Sequence, residues 1–445
     1  MQLTKVQKFL IARRLEGNVV NTALLMLLAA LLALIPLPLL SFPAAWLFLL
    51  LLPGLQMARA LGFYATWREG RTLILGTALG LLVAPLFIYW TSLLFGFTRL
   101  LVFIIPALLA LGLAWLNDWR RLEPRPALPL ASSRRQYLVL GLLLLMLLVC
   151  LVIPYIEGHT SAGVYPVEMA DWFKHYGVSW SLRHTGVPPA DVFFYGDPNR
   201  GKLSYYYFFH LTTASLDLLH GGESAIYFSF VILTLTAAFS FVLVFYLLAR
   251  QVLGVDRAAL WSLLFVTLIG GLDVIPIIPH SLKRFNNLFP DTPLTFTALL
   301  SSLDHIDAWT PAPSLRLNPL FVQYLWVPQH VTGLLAFFLG LYCFREVRQR
   351  SRLMIAAPLI LLAILGHSAW IAMIAFICLA LYALIDLVRT SGVFSPLSPG
   401  ERVRERGRFT AFGRLRPGCP GTAPHQPAAA ARNDRPACAQ KRPGF

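Results

Sequence analysis

The chain has 445 residues, of which 57% are hydrophobic and 13% charged, with a formal net charge of +16 and a mean hydropathy of +0.66. Soluble domains run at about 45–50% apolar and about 25% charged, because polar side chains must cover the interior. A soluble enzyme, a disordered chain and a secreted disulfide scaffold are excluded, and a protein that crosses a bilayer many times is indicated.

The first 21 residues form a basic segment that carries Lys5, Lys8, Arg13 and Arg14. Apolar runs then follow at 22–39, 43–60, 72–95, 99–117, 137–156, 225–249, 258–279, 325–344, 353–367 and 369–388. A helix needs about 20 apolar residues to cross about 30 Å of hydrocarbon. The runs therefore predict an all-α polytopic membrane protein with about ten transmembrane helices. An N-terminal four-helix membrane region covers 22–136, and a second membrane region covers 137–389, with large loops at 157–224 and 280–324. Residues 205–220 (YYYFFHLTTASLDLLH) are apolar too, but a full span there would put Arg345 to Arg352 on the wrong side. They are expected to be half-embedded or re-entrant, which is tolerated where protein or a wet cavity surrounds the backbone.

Cytoplasmic loops collect Lys and Arg, so the basic residues orient the chain. With the N-terminus inside, the inner loops hold 19 of the 27 basic residues that lie before residue 390. Both ends of the membrane region come out cytoplasmic, in the inner membrane of a bacterial-type cell. The excess charge orients the protein and implies no nucleic-acid partner. The last 56 residues, 390–445, contain 15 Gly or Pro and 10 Lys or Arg against three acids, with no apolar period. Such a segment is expected to be disordered. Two readings of it stand: a basic cytoplasmic tail, or a reading frame that ends or shifts near Val393.

Nine of the ten histidines fall on or beside the expected outer face, together with most of the carboxylates. Imidazoles and carboxylates move protons and bind metals. In the first loop, Pro166 to Arg183 reads as an amphipathic helix lying on the membrane. Met169, Phe173, Tyr176 and Trp180 form its apolar stripe, and Glu168, Asp171 and His175 occupy another face at i, i+3 and i+7. Taken alone, that spacing is explained more simply by a solvated polar face. Asp273, in a span between Gly270 and Pro276, and Gln329 with His330, at the start of another, are further polar positions near the same face. There is no Walker loop, dinucleotide fingerprint or zinc spacing, and the inner loops are too short for a nucleotide-binding domain.

The loop residues Pro154-Tyr-Ile-Glu157, Glu168-Met-Ala-Asp171-Trp172, His175, Gly186-Val-Pro-Pro189 and the triplet Tyr205, Tyr206, Tyr207 resemble the GT-C superfamily of polytopic glycosyltransferases. The chain is most similar to the prokaryotic hydrophobic membrane family marked by three consecutive tyrosines. The Trp326 to His330 motif, Leu52-Pro-Gly-Leu55 and Trp67-Arg-Glu-Gly-Arg71 also resemble those proteins, and the likeness extends over roughly Ala45 to Val388. The resemblance implies transfer of a sugar from a polyprenyl-linked donor to an acceptor at the outer face. It places Asp171, with Glu168 as partner, as base or as ligand of a divalent metal such as Mg²⁺ or Mn²⁺. His175 and His330, with Gln329, would meet the phosphate or head group, Arg200 or Lys202 would offset its charge, and the tyrosines would line the sugar or lipid groove. GT-C proteins commonly continue into further spans or a soluble domain where this chain enters its tail, which bears on acceptor binding. Two alternatives remain: a lipid or solute transporter or flippase, which requires broken helices and polar residues near the midplane, and an inactive truncated fragment.

Overall fold

The structure is a computed structural model of the 445-residue chain, describing residues 5–63, 70–120, 130–131, 133–157, 159–160, 163–164, 172–192, 201–220, 226–268, 327–346 and 350–391. Two compact units divide at Leu379, and the described part of the second is the end of the last helix, 380–391. The described residues form helices α1 (Lys5–Ala33), α2 (Pro38–Ala60), α3 (Gly70–Phe95), α4 (Arg99–Trp119) and α5 (Arg134–Glu157). After a two-residue hairpin, β1 (His159–Thr160) with β2 (Gly163–Val164), come α6 (Trp172–Thr185), α7 (Phe208–His220), α8 (Ile226–Leu253) and α9 (Asp256–Leu268). Helices α10 (Pro328–Glu346), α11 (Arg350–His367) and α12 (Ala369–Ser391) complete them.

The architecture is all-helical in character, as the composition predicts. Among the described residues, five helices are long and apolar enough to cross a membrane: Pro38–Ala60, Gly70–Phe95, Arg99–Trp119, Arg134–Ile153 and Ile226–Leu253. Three more apolar helical segments, Asn18–Ala33, Ile355–His367 and Ala369–Leu381, are shorter. The loop 280–324, the site acids Glu168 and Asp171, Arg200, Asp273 and the tail 392–445 lie outside the described residues.

Close packing of α2 on α3 is built from glycine. A Cβ on Gly54 would stand 1.8 Å from the Gly76 carbonyl oxygen, and one on Gly80 would stand 1.9 Å from the Leu50 carbonyl oxygen. Gly76 and Gly80 are four residues apart on one face of α3, the small-residue spacing that lets membrane helices touch backbone to backbone. Pro53 has no N–H to give the helix and its ring crowds the preceding turn. The chain accommodates it with a π-helical turn over Leu47–Leu51, closed by the Leu52 N–H donating to the Leu47 carbonyl. At the expected inner end, Asn117 donates from Nδ2 to the Gln56 carbonyl at 2.9 Å, and Gln56 Nε2 donates to Thr22 Oγ1 at 3.0 Å. Polar groups on α1, α2 and α4 thus bond one another in an apolar setting.

Helix α7 is the hub. It packs against α2, α3, α4, α6, α8, α10 and α11, and all but two of its 13 residues are buried. Thirteen residues reach only about 20 Å, so the segment 205–220 is not a span. It is a short helix enclosed by protein, preceded by an irregular stretch that holds the three tyrosines. Helix α6 also differs from the expectation of a helix lying on the membrane with a solvated His175. His175, Val178, Ser179 and Leu182 are its buried stripe, directed at α7, while Trp180 is 42% exposed. Contact with α7 outweighs the aromatic pattern because His175 and Ser179 find partners there.

Replacing Gly80 by leucine forces a side chain into backbone and should lower the thermal midpoint in detergent by more than an ordinary overpacked core position, which costs about 1–3 kcal/mol. Gly112→Leu in α4 faces open space and should leave the midpoint unchanged. Equal midpoints for the two variants would refute the close packing.

Candidate functional site

The irregular stretch before α7 divides the tyrosine triplet. Tyr207 turns into the core, 7% exposed, with its ring centroid 5.8 Å from that of Tyr89 on α3. Burial, with Tyr89 alongside, holds its phenol above the ordinary value. Tyr205 and Tyr206 stack on each other at 4.2 Å and meet the start of α10, more than 120 residues further along. Gln329 Nε2 donates to the Tyr205 hydroxyl at 3.3 Å. The Tyr206 hydroxyl lies 3.2 Å from His330 Nε2.

The line continues past His330. Its Nδ1 is 2.7 Å from Ser368 Oγ, and the same hydroxyl oxygen accepts from the Ile371 N–H at 3.2 Å, capping α12. Two proton arrangements satisfy this chain. In one, Tyr206 donates to Nε2 and Nδ1–H donates to Ser368. In the other, Ser368 donates to Nδ1 and Nε2–H donates to Tyr206. They differ by one proton shifted along each link, so the chain can relay a proton.

A second layer lies behind the tyrosines. His210, the third residue of α7, is fully buried. It stacks on His175 at 5.1 Å, and its Nδ1 is 3.4 Å from Ser179 Oγ. Tyr205 completes the stack with its ring 6.0 Å from His210. Burial, reinforced by His175 nearby, holds the His210 imidazole well below its ordinary pKa, so it is neutral. His367, at the end of α11, packs edge-on against Phe208 at 5.9 Å. Gly366 permits this approach, since a Cβ there would lie 2.2 Å from the Phe208 ring.

Below the histidines, Arg183 on α6 pairs with Asp217 on α7 at 2.7 Å, with the aspartate side chain fully buried. The pair fixes α6 against α7 and with it the register of His175 on His210. Helices α7, α10 and α12 all begin at this cluster, with His210, His330 and Ser368 at or next to their first turns. Helix N-termini present unpaired N–H groups and a partial positive charge, a setting that favours an anion.

Of the residues singled out from sequence, His175, Tyr205, Tyr206, Gln329 and His330 come together here. Tyr207 faces away. Lys202 is exposed on a short strap in which Leu203 N–H donates to the Pro189 carbonyl at 2.9 Å. Asp171, Glu168 and Arg200 lie outside the described residues. Ser368, Ser179, His210, His367 and the Arg183–Asp217 pair were not singled out as site residues. The break Gly366-His-Ser-Ala-Trp370 between two apolar runs was the available signal for two of them. Among the described residues no group of three or more His, Cys, Asp or Glu is arranged to hold a metal ion.

No protein-family model matches the chain. Searches of curated proteins and of solved structures likewise find no similar protein.

Asp217→Asn leaves Arg183 partly buried without its counter-charge and should destabilise the protein by about 3–5 kcal/mol, read as a lower thermal midpoint. An unchanged midpoint would remove the pair from its anchoring role. The buried, neutral His210 sets a pH dependence of known sign. Its folded pKa lies below the unfolded value of about 6.5, so below that pH the unfolded chain binds the extra proton. Stability should be full above about 6.5 and decline as pH falls from there. His210→Phe should flatten that decline in thermal melts taken between neutral pH and mildly acidic buffer.

Proposed function

We propose that the chain is a GT-C-like membrane glycosyltransferase with about ten spans and both ends of its membrane region in the cytoplasm. It would transfer a sugar from a polyprenyl-linked donor to an acceptor on the outer face. The observation that supports this reading most is the pairing of Tyr205 and Tyr206 with Gln329 and His330. Two motifs far apart in sequence, chosen for their likeness to one family, form a single polar site at the ends of apolar helices. Aromatic faces with hydroxyls suit a sugar, and converging helix N-termini suit the phosphate beside it.

In this mechanism the acceptor oxygen bonds to the anomeric carbon as that carbon's bond to the phosphate oxygen breaks. Asp171, oriented by Glu168, takes the acceptor proton. The departing phosphate receives a hydrogen bond from Tyr206, whose oxygen accepts in turn from His330 Nε2–H while Nδ1 accepts from Ser368, so the line polarises toward the phosphate with no net loss of a proton. Its charge is offset by the helix N-termini and by Lys202 or Arg200. His175 stacks behind His210 and acts through it, away from direct contact with the phosphate.

Sugar transfer from a polyprenyl phosphate donor in proteoliposomes tests the proposal. Asp171→Asn should abolish transfer, and His330→Ala should slow it by about 10²–10⁴, the span of general acid–base contributions. Full transfer by Asp171→Asn would overturn the assignment. So would a donor that crosses the bilayer chemically unchanged, the behaviour of a flippase.

A further inference from the structure

A separate cavity lies between α2, α3 and α8, away from the tyrosines. It has a volume of about 650 Å³, and Phe42, Trp46, Thr77, Phe228, Ile232 and Leu243 are among the residues that line it. All three helices are long and apolar enough to cross a membrane, so the groove opens on hydrocarbon. Its walls offer almost nothing polar: the Thr236 hydroxyl is already used twice, accepting from Trp46 Nε1 at 3.0 Å and donating to the Ile232 carbonyl at 2.8 Å. From Phe228 to Leu243 the groove follows α8 for about 22 Å at 1.5 Å per residue, the dimensions of one extended hydrocarbon chain.

Apolar walls alone would not distinguish one lipid from another, since lipid tails are as apolar as leucine. The end of the groove supplies the distinction. Phe42 contacts both Phe228 and His220, with ring centroids 4.3 and 4.1 Å apart, and Ser41 hydrogen-bonds His220 Nδ1. Next to His220, the exposed Arg99 donates one N–H to the Leu219 carbonyl at 3.3 Å. That bond caps α7 and ties the guanidinium, which also lies over the Phe103 ring at 5.9 Å, to the residue next to His220.

We infer that this groove binds one acyl chain of an anionic phospholipid, with the phosphate at the mouth formed by His220 and Arg99. The site is separate from the tyrosine and histidine cluster and does not depend on glycosyl transfer. Its test is native mass spectrometry of the full chain, purified and exposed to an equal mixture of phosphatidylglycerol and phosphatidylcholine. One phospholipid should remain per chain, with phosphatidylglycerol enriched about fivefold, the effect of about one basic side chain at a lipid surface. Arg99→Ala should abolish the enrichment and keep the occupancy. Ile232→Trp, which fills the middle of the groove from its half-buried lipid-facing side, should remove the occupancy. A second readout is quenching of Trp46 fluorescence by phosphatidylglycerol brominated along its chain, taken as the difference between wild type and Trp46→Phe. Enrichment unchanged in Arg99→Ala, occupancy unchanged in Ile232→Trp, an isoprenoid lipid in place of the phospholipid, or absence of Trp46 quenching would each overturn the site.

Discussion

A short helix buried in an apolar bundle is destabilised by each polar group that finds no partner there. In helix α7 the hydroxyls and the carboxylate find partners, while the neutral His210 ring keeps its Nε2 without a hydrogen bond among the described residues. Thr212, Thr213 and Ser215 return their hydroxyls to carbonyls one turn back, at 2.9, 3.1 and 2.7 Å, so these residues behave almost as apolar ones toward their neighbours. Asp217 cannot do this. It lies near the helix C-terminus, where a negative charge opposes the helix dipole, and it is compensated by Arg183 from α6. The ion pair therefore makes burial of α7 possible, and burial of α7 brings α2, α3, α10 and α11 to one place.

The location of the site follows from that arrangement. Because α7 is short, its N-terminus ends within reach of α10 and of the α11–α12 break, and the tyrosines that precede it are delivered to Gln329, His330 and Ser368. The triplet divides there: Tyr205 and Tyr206 stack on each other and reach Gln329 and His330, while Tyr207 packs on Tyr89.

The membrane character was legible because composition reports directly on the solvent a chain must face. The polar interior was less so. Residues 205–220 read as half-embedded or re-entrant and not as a span, and the short helix enclosed by protein agrees with the second part, but which helices enclose it was not in the local pattern. In α6 the regular spacing of Tyr176 and Trp180 suggested a stripe sunk in the membrane interface, yet the face packed on protein is that of His175 and Ser179, since a polar residue can be a core residue when its partner lies 31 positions away, as His210 does for Ser179. The link from His330 to Ser368 spans 38 residues and leaves no local pattern. The glycines of α2 and α3 stood in plain view at the spacing Gly76 to Gly80, but which helix they admit is a tertiary fact.

The two halves of α7 and α6 handle charge in opposite ways, and this separation has a physical reason. At the Asp217 end, opposite charges neutralise each other permanently, which suits an anchor. At the His210 end, burial keeps the imidazole neutral, and the Tyr206–His330–Ser368 line is built from groups that each give a proton as they receive one. A relay of that kind moves a proton without leaving a charge stranded in a medium of low dielectric. A fixed ion pair at the same position would hold its proton donors to a permanent partner and leave none for an incoming anion. The site can therefore answer a transient negative charge at the helix N-termini because the permanent charges are confined to the other end of the same helix.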